Sequence, residues 1–170
     1  HNRPLNRDME GRFTRLEGRS PSNIEWRTFN GWCYHHWPQQ PKWIEPLKLT
    51  ARKKIIEETW RSHLQNTTIT PHMFQSEVDW VKDQVPMSRD DYLNVDRRGR
   101  GFALNTEQRQ HMFNAMEAYQ QSLEKKSALD WGDVPKLLWN FSETNQVQLP
   151  QYDIILIDEA QFFAPLWMRL

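Results

Sequence analysis

The sequence predicts a predominantly α-helical chain that also carries two short strands of an α/β-type sheet, one towards each end. Residues 24–29 alternate in polarity, and residues 153–158 contain a run of aliphatic side chains, as strands do. Mostly helical patterns fill the long stretch between them. A closed α/β domain needs strands at shorter intervals, so we expect a helical insertion between two strands of an incomplete parallel sheet.

The N-terminal part of the chain predicts one helix, one strand and a connector. The helix covers residues 3–17, where Pro4 suits a first helical position and apolar side chains recur at helical spacing. These side chains are Leu5, Met9, Phe13 and Leu16. Residues 24–29 are rich in β-branched and aromatic residues and predict the first strand. A stiff connector over 38–46 is predicted from its prolines, Pro38, Pro41 and Pro46.

The region 32–46 is dense in Trp, His and Pro, and it raises the question of a zinc site. The candidate ligands are Cys33, His35, His36 and His63. Their spacing does not match the paired ligands of a structural zinc site. Neighbouring histidines would also point away from each other on a helix or a strand. The sequence therefore does not predict a metal site in this region.

Helical patterns between the two strands are marked by capping residues and prolines. They cover 51–65, 71–85, 106–126 and about 133–141, with a short turn after Ser88. The pairs Ser88 with Asp91 and Asn105 with Gln108 resemble capping boxes. A polar link over 142–151 then leads to the second strand.

Composition limits the classes of protein that the chain can belong to. With 170 residues it can hold one good hydrophobic core or slightly more. Its 22 basic and 22 acidic residues balance, so any nucleic-acid surface must be a local patch. A single cysteine, Cys33, excludes an intrachain disulfide and fits a reducing, cytoplasmic compartment. No apolar run approaches the roughly 20 residues that a membrane span needs, and no signal peptide is visible, so we expect no membrane partner.

The stretch YDIILIDEAQ at 152–161 carries the strongest functional signal. Its four aliphatic residues, 154–157, predict a strand that is buried on both faces. Asp158 and Glu159 follow where that strand ends, which is where ligands bind in open parallel sheets. Because uncompensated charge is costly there, the two acids predict a metal and catalytic site. The structural alternative is an N-capped helix whose acids favour the helix dipole.

This stretch resembles motif II, the Walker B element, of superfamily 1 DNA helicases of the UvrD/Rep type. The resemblance implies that Asp158 helps to hold Mg²⁺ on bound ATP. It implies that Glu159 also lies at the nucleotide and polarises the attacking water, and that Gln161 links the nucleotide state to the DNA-binding surface. The sequence departs from the family at Phe162 and Phe163, where an acid often follows the Gln.

A second element, Thr28-Phe29-Asn30-Gly31, resembles the Thr-Phe-His element of the same helicases, which lies at a strand end facing single-stranded DNA. The resemblance implies that Thr28, Phe29 and Asn30 contact DNA, with Asn30 replacing the usual His. A Phe ring can stack on a base, and a Thr hydroxyl can bind a phosphate. The alternative is that Phe29 is simply the last core residue of its strand.

The most basic stretch of the chain is Arg97-Arg98-Gly99-Arg100-Gly101. Arg98 and Arg100 could contact a phosphate backbone, and the glycines would allow it to approach closely. The alternative, a solvated loop, is equally compatible with the sequence.

The resemblance also implies how the chain is divided. In the helicases, a helical insertion interrupts the first RecA-like domain before the motif II strand. Residues 1–31 would be a partial RecA-like motor domain, 32–150 the helical insertion subdomain, and 151–170 a second part of the motor domain with motif II. The stretch LDWGDV at 129–134 is similar to a Leu-Asp-Phe-x-Asp sequence of that insertion.

No G-x-x-x-x-G-K-[ST] loop occurs in the sequence, so a cradle for the phosphates is missing. We therefore expect an excised fragment of an ATP-dependent DNA helicase or translocase that does not hydrolyse ATP by itself. Its implied partners are single-stranded or partly duplex DNA and the rest of the parent motor. Apolar surface uncovered in the fragment predicts self-association.

Two other functions fit parts of the sequence. The first is a non-catalytic, Trp-rich helical module that binds nucleic acid or protein, in which Asp158 and Glu159 would be dispensable. The second is a metal nuclease, which needs further carboxylates around Asp158, and the sequence offers no suitable cluster.

Overall fold

The computed structural model describes residues 3–19 and 22–170, and in these ranges the chain is built from α-helices. The helices are α1 (Arg3–Glu17), α2 (Phe29–His35), α3 (Leu49–His63), α4 (Pro71–Asp83), α5 (Arg89–Asn94), α6 (Thr106–Lys125) and α7 (Asp133–Glu143). Short 3-10 turns follow at Ala160–Phe162 and Trp167–Arg169. The prediction of a predominantly helical chain is confirmed.

Capping residues explain where several helices begin. Ser88 and Asp91 form the expected capping box at the start of α5, and Asn105 and Gln108 form another at the start of α6. In each box the side chain of the first residue accepts a hydrogen bond from the backbone N–H of the second, and the side chain of the second accepts one from the backbone N–H of the first. α3 begins at Leu49, two residues earlier than predicted, and its N-cap is Lys48, which makes no side-chain capping hydrogen bond.

Two clusters of buried side chains form the core. The larger one lies among α3, α4, α5 and α6, and includes Phe74, Tyr92, Met112, Tyr119 and Leu123. The smaller one joins α2 to α7 through Cys33, Val134 and Leu138. Trp32, Trp37 and Trp43 are partly buried against this second cluster, so these tryptophans serve mainly as packing surface.

The two predicted strands do not form in the described part of the chain, so the prediction of strands from an incomplete RecA-like parallel sheet is wrong. Residues 24–28 are irregular, and Phe29 begins α2 instead of ending a strand. In the second segment Ile154, Ile155 and Leu156 are 78, 66 and 92% exposed. A strand needs a neighbour that pairs its backbone N–H and C=O groups, and the described residues supply none to either segment.

The first helix has the predicted bounds but leaves its apolar stripe largely uncovered. Met9 and Leu16 are 42 and 86% exposed, while Phe13 packs against Trp26 with ring centroids 5.8 Å apart. Among the described residues, no helix combines the length and the apolar character needed to cross a lipid bilayer.

Candidate functional site

The acids of the 152–161 stretch lie on an exposed turn. Glu159 adopts a left-handed backbone conformation, with φ 56° and ψ 39°, and the 3-10 turn starts directly after it. The side-chain amide of Gln161 donates a hydrogen bond to the Glu159 carboxylate. The Asp158 carboxylate is exposed and is adjacent in sequence to this pair. The turn therefore presents two carboxylates to solvent and holds one of them through Gln161.

The Asp158 side chain suits a magnesium ion of the kind that the resemblance implies. Magnesium keeps several waters and is usually bound through one or two carboxylates together with nucleotide phosphates. Asp158 has no hydrogen bond or ion pair within the described ranges that would compete for its oxygens. It does not belong to a three-ligand protein cluster there either, so a bound ion would need oxygens from a nucleotide and from water.

An aromatic cluster connects this turn to the start of α2. Phe29 stacks on Trp167 with ring centroids 4.5 Å apart and an interplanar angle of 16°. Phe163 packs edge-to-face against both Phe29 and Trp167, and its ring centroid lies 5.5 Å from each of theirs. The residues just after the 152–161 stretch are therefore in contact with the start of α2, through Phe163, Trp167 and Phe29.

Thr28 has a local role at the start of α2. Its hydroxyl accepts a hydrogen bond from the backbone N–H of Gly31 at 3.2 Å, so Thr28 is the N-cap of the helix. A Cβ atom at Gly31 would lie 3.0 Å from that hydroxyl, so the glycine leaves room for the cap. Asn30 is half-buried within the first turn.

The arginine-rich loop is anchored from within. Arg97 is buried and binds the Glu77 carboxylate with two hydrogen bonds of 2.9 and 2.7 Å. Tyr92 donates a third hydrogen bond to the same carboxylate, at 2.9 Å. A fully buried carboxylate is stable only when it is paired in this way, so the Arg97–Glu77 pair fixes the loop to α4.

The two arginines predicted to contact DNA point in different directions. Arg100 donates to the backbone and side-chain oxygens of Ser76, both at 2.9 Å, and its guanidinium lies over the Trp80 ring. Arg98 has a side chain that is 92% exposed and contacts Asp96 on its own loop. Of these two arginines, Arg98 is the one whose guanidinium is exposed to solvent, and there it is paired with Asp96.

A second buried ionic network lies in the LDWGDV stretch. The Asp130 carboxylate accepts hydrogen bonds from Tyr119 at 2.7 Å and from Arg52 at 3.1 Å, and it is paired with Lys82 at 3.0 Å. Lys82 also binds Asp133 at 2.7 Å. Burial alone would raise the pKa of Asp130, but Lys82, Tyr119 and Arg52 outweigh it and lower that pKa to about 2.

Sequence reasoning did not identify the buried ionic residues. Glu77 lies next to core positions of the α4 stripe, Phe74 and Val78, and that placement is the one local signal of its burial. Asp130 and Asp133 were noted for their similarity to the helicase insertion. Their role here is to join α3, α4 and α6 to the start of α7.

Comparison with protein-family models matches residues 5–168 to the UvrD/REP helicase N-terminal domain. Comparisons with curated proteins and with solved structures give no significant match. The family match covers the 152–161 turn, the Thr28–Gly31 element and all the helices from α2 to α7. The chain therefore belongs to the UvrD/REP helicase N-terminal domain family.

Proposed function

We propose that this chain is part of the motor of an ATP-dependent helicase that translocates on single-stranded DNA. The observation that carries the proposal is the contact between the two candidate sites. Phe29, beside the candidate DNA contact Thr28, stacks on Trp167 and packs edge-to-face against Phe163, and both of these residues lie shortly after the Asp158–Gln161 turn in the sequence. A change at the nucleotide can therefore reach the DNA surface through packed side chains.

The roles proposed for the turn follow from its chemistry. Asp158 would hold Mg²⁺ beside the nucleotide phosphates, and Glu159 would orient and polarise the attacking water. Mg²⁺, when bound, neutralises charge on the phosphates. Gln161, which already donates to Glu159, is suited to report whether that carboxylate is engaged.

The proposed motor needs parts that residues 1–170 do not contain. A phosphate-binding loop must come from elsewhere in the working protein, because the sequence has none. The domain boundaries after residues 31 and 150, which separate the motor domain from the helical insertion, are also part of this proposal.

The catalytic part is tested by Glu159→Gln in a protein that joins this chain to a phosphate-binding loop. We expect ATP hydrolysis to be lost while nucleotide binding is kept, since the amide is isosteric but cannot act as a base. Glu124→Gln, at an exposed position of α6, is the matched control. Retained hydrolysis in Glu159→Gln would contradict the role of that residue. We also expect the 170-residue chain alone to show no Mg²⁺- and DNA-dependent ATPase.

The DNA-contact part is tested at Thr28, where capping and phosphate binding can be separated. Thr28→Asp keeps a good helix cap but places a negative charge where a phosphate would bind. We expect it to preserve thermal stability and to weaken binding of a fluorescent single-stranded oligonucleotide at least tenfold. Asp at a remote exposed position, as in Ser62→Asp, controls for net charge. Equal affinity of Thr28→Asp and Ser62→Asp would remove Thr28 from the DNA surface.

A further inference from the structure

A group of metal-binding side chains lies where the loop before α2 meets the end of that helix. A carboxylate oxygen of Glu25 and one ring nitrogen each of His35 and His36 lie within 4.8 Å of one another. His35 is the last residue of α2, and His36 is its C-cap, with φ −94° and ψ 8°. Because the helix ends here, the two rings come together, with centroids 4.8 Å apart. The expectation that neighbouring histidines point apart holds only for a continuing helix or strand.

We propose that Glu25, His35 and His36 form a binding site for a divalent transition metal of the zinc class. Two imidazole nitrogens and one carboxylate oxygen make up a donor set of open zinc sites, in which water takes the remaining position. With tetrahedral bonds of about 2.0–2.1 Å, ligand atoms lie about 3.3 Å apart, so each pair must close by no more than about 1.5 Å. His35 is exposed, so rotation of its side chain can bring its ring nitrogen closer to the other two ligands.

An unsatisfied nitrogen supports the site independently of the ligand distances. Nε2 of His36 is buried and has no hydrogen-bond partner among the described residues. A buried polar atom without a partner costs free energy, and native structures usually satisfy it. Coordination through Nε2 would give this atom the partner that it lacks.

The carboxylate ligand is oriented by a chain of hydrogen bonds. The Tyr152 hydroxyl donates to Oε2 of Glu25 at 2.6 Å. Nε1 of Trp32 donates to the same hydroxyl at 3.0 Å. Hydrogen bonds of this kind hold a ligating group in position and raise metal affinity. They come from residues far apart in the sequence, so the site is built by the fold and not by a local motif.

Arg27 opposes metal binding and gives the site a built-in competitor. Its Nε donates to Oε1 of Glu25 in a close ion pair. The guanidinium occupies one carboxylate oxygen and adds positive charge near the incoming cation. Removing this charge should therefore strengthen the metal site, which is the opposite of what a general loss of structure would do.

The position of the site indicates what a bound metal would do. Glu25 lies in the loop before α2, shortly before its N-cap Thr28, and His35 and His36 lie at the other end of that helix. Tyr152 opens the segment that leads to Asp158. A metal bound to Glu25, His35 and His36 would thus tie the loop before α2 to the C-terminal end of that helix, beside Tyr152, whether or not the chain takes part in ATP hydrolysis.

The site is tested by titrating the chain with Zn²⁺ in competition with a colorimetric chelator, and with Co²⁺ followed by visible absorption. We expect one Zn²⁺ per chain, and at least tenfold weaker binding in Glu25→Gln and in His35→Ala. The visible bands of the Co²⁺ complex should be lost in His35→Ala. His111→Ala, at an exposed histidine of α6, should bind both metals as the unmodified chain does.

Two further variants distinguish a metal site from a structural cluster. Arg27→Gln should tighten Zn²⁺ binding several-fold, and Tyr152→Phe should weaken it about tenfold. No Zn²⁺ binding by the unmodified chain would overturn the proposal, as would equal binding by His35→Ala or equal losses in His35→Ala and His111→Ala. Because His35 is exposed, its substitution should leave the helical circular dichroism signal unchanged, so a lost metal can be separated from a lost fold.

Discussion

At the scale of single residues, Asp130 is a point at which several helices meet. Its buried carboxylate binds Arg52 in α3, Lys82 in α4 and Tyr119 in α6. A buried carboxylate with three such partners is stabilising only while all of them remain, because an orphaned buried charge costs far more than an exposed one. The contribution of Asp130 to stability should therefore depend both on its partners and on pH.

We expect Asp130→Asn to lower the free energy of unfolding by about 3–5 kcal/mol, since it leaves Lys82 and Arg52 without their shared carboxylate. Tyr119→Phe removes one hydrogen bond to the same group and should cost less, about 1.5–3 kcal/mol. Urea unfolding followed by tryptophan fluorescence measures both. An Asp130→Asn variant no less stable than Tyr119→Phe would contradict the central place given to Asp130.

The pKa of Asp130 fixes the pH range in which this stability is lost. The folded-state pKa of about 2 lies below the ordinary value of 3.8, so the stabilisation is complete above about pH 4. It should fall as the pH drops from about 4 towards 2, by about 2 kcal/mol in total. Asp130→Asn should lack this component of the acid unfolding profile. If the stability of Asp130→Asn fell with pH as steeply as that of the wild type, the acid sensitivity would belong to other groups.

The pKa of Asp83 is shifted in the opposite direction to that of Asp130. Burial, and then the nearby Asp79, raise its pKa from 3.8 to about 6, with Lys136 only partly opposing them. The folded state therefore holds this proton more tightly than the unfolded chain, and the ionised form destabilises the fold above about pH 6. We expect Asp83→Asn to raise stability at pH 8 by about 1 kcal/mol after solvent screening, with no gain at pH 4. Melting curves at the two pH values test this, and an equal gain at both would exclude an ionisation effect.

At the scale of elements, two arginines of the loop at 97–101 bind groups within the fold, and one is exposed to solvent. Arg97 and Arg100 bind Glu77 and Ser76 on α4, and Arg98 is left exposed. We expect Arg100→Ala to destabilise the chain by about 1–3 kcal/mol and Arg98→Ala by less than about 0.5 kcal/mol.

Binding to single-stranded DNA provides a second test of the arginine loop. If the loop lies on the DNA surface, Arg98→Ala should weaken single-stranded DNA binding and lower the salt dependence by about one counterion. Fluorescence anisotropy at several salt concentrations measures both quantities. Unchanged affinity and salt slope in Arg98→Ala would make the loop a purely structural element.

How far the sequence predicts each element depends on how local its determinants are. The boxes at Ser88 and Asn105 involve residues three positions apart, and α5 and α6 begin where they predict. The strand predicted at 153–158 needs neighbours that pair with its backbone, and the described part of the chain supplies none, so its aliphatic run predicted a structure that does not form there. The partners Arg52 and Asp130 are 78 positions apart, and no periodicity reveals such a pair.

The candidate site shows the same limit. Asp158 and Glu159 can be identified from the sequence because they directly follow the aliphatic run, while the contact of Phe29 with Trp167 cannot. The Glu25–His35–His36 cluster was missed because it needs a helix to end between the two histidines. Spacing rules assume regular structure and fail at such a boundary.

At the scale of the whole molecule, the uncovered 153–158 segment should govern association in solution. Leu156 is 92% exposed, next to two exposed isoleucines in a stretch whose backbone has no strand partner within the described ranges. Apolar residues with unpaired backbone groups form a template for a second chain. We therefore expect the isolated chain to self-associate with increasing concentration, with a second copy standing in for the missing sheet neighbours.

The test compares two leucines of similar exposure. Leu156→Glu should shift the equilibrium towards monomer at least tenfold, because charge on this segment would have to be buried between the copies. Leu16→Glu, at a site 86% exposed on α1, should leave association unchanged. Sedimentation equilibrium over a hundredfold concentration range distinguishes the cases. A strictly monomeric wild-type chain would refute self-association, and an equal effect of Leu16→Glu would move the interface to α1, whose apolar stripe is also largely uncovered.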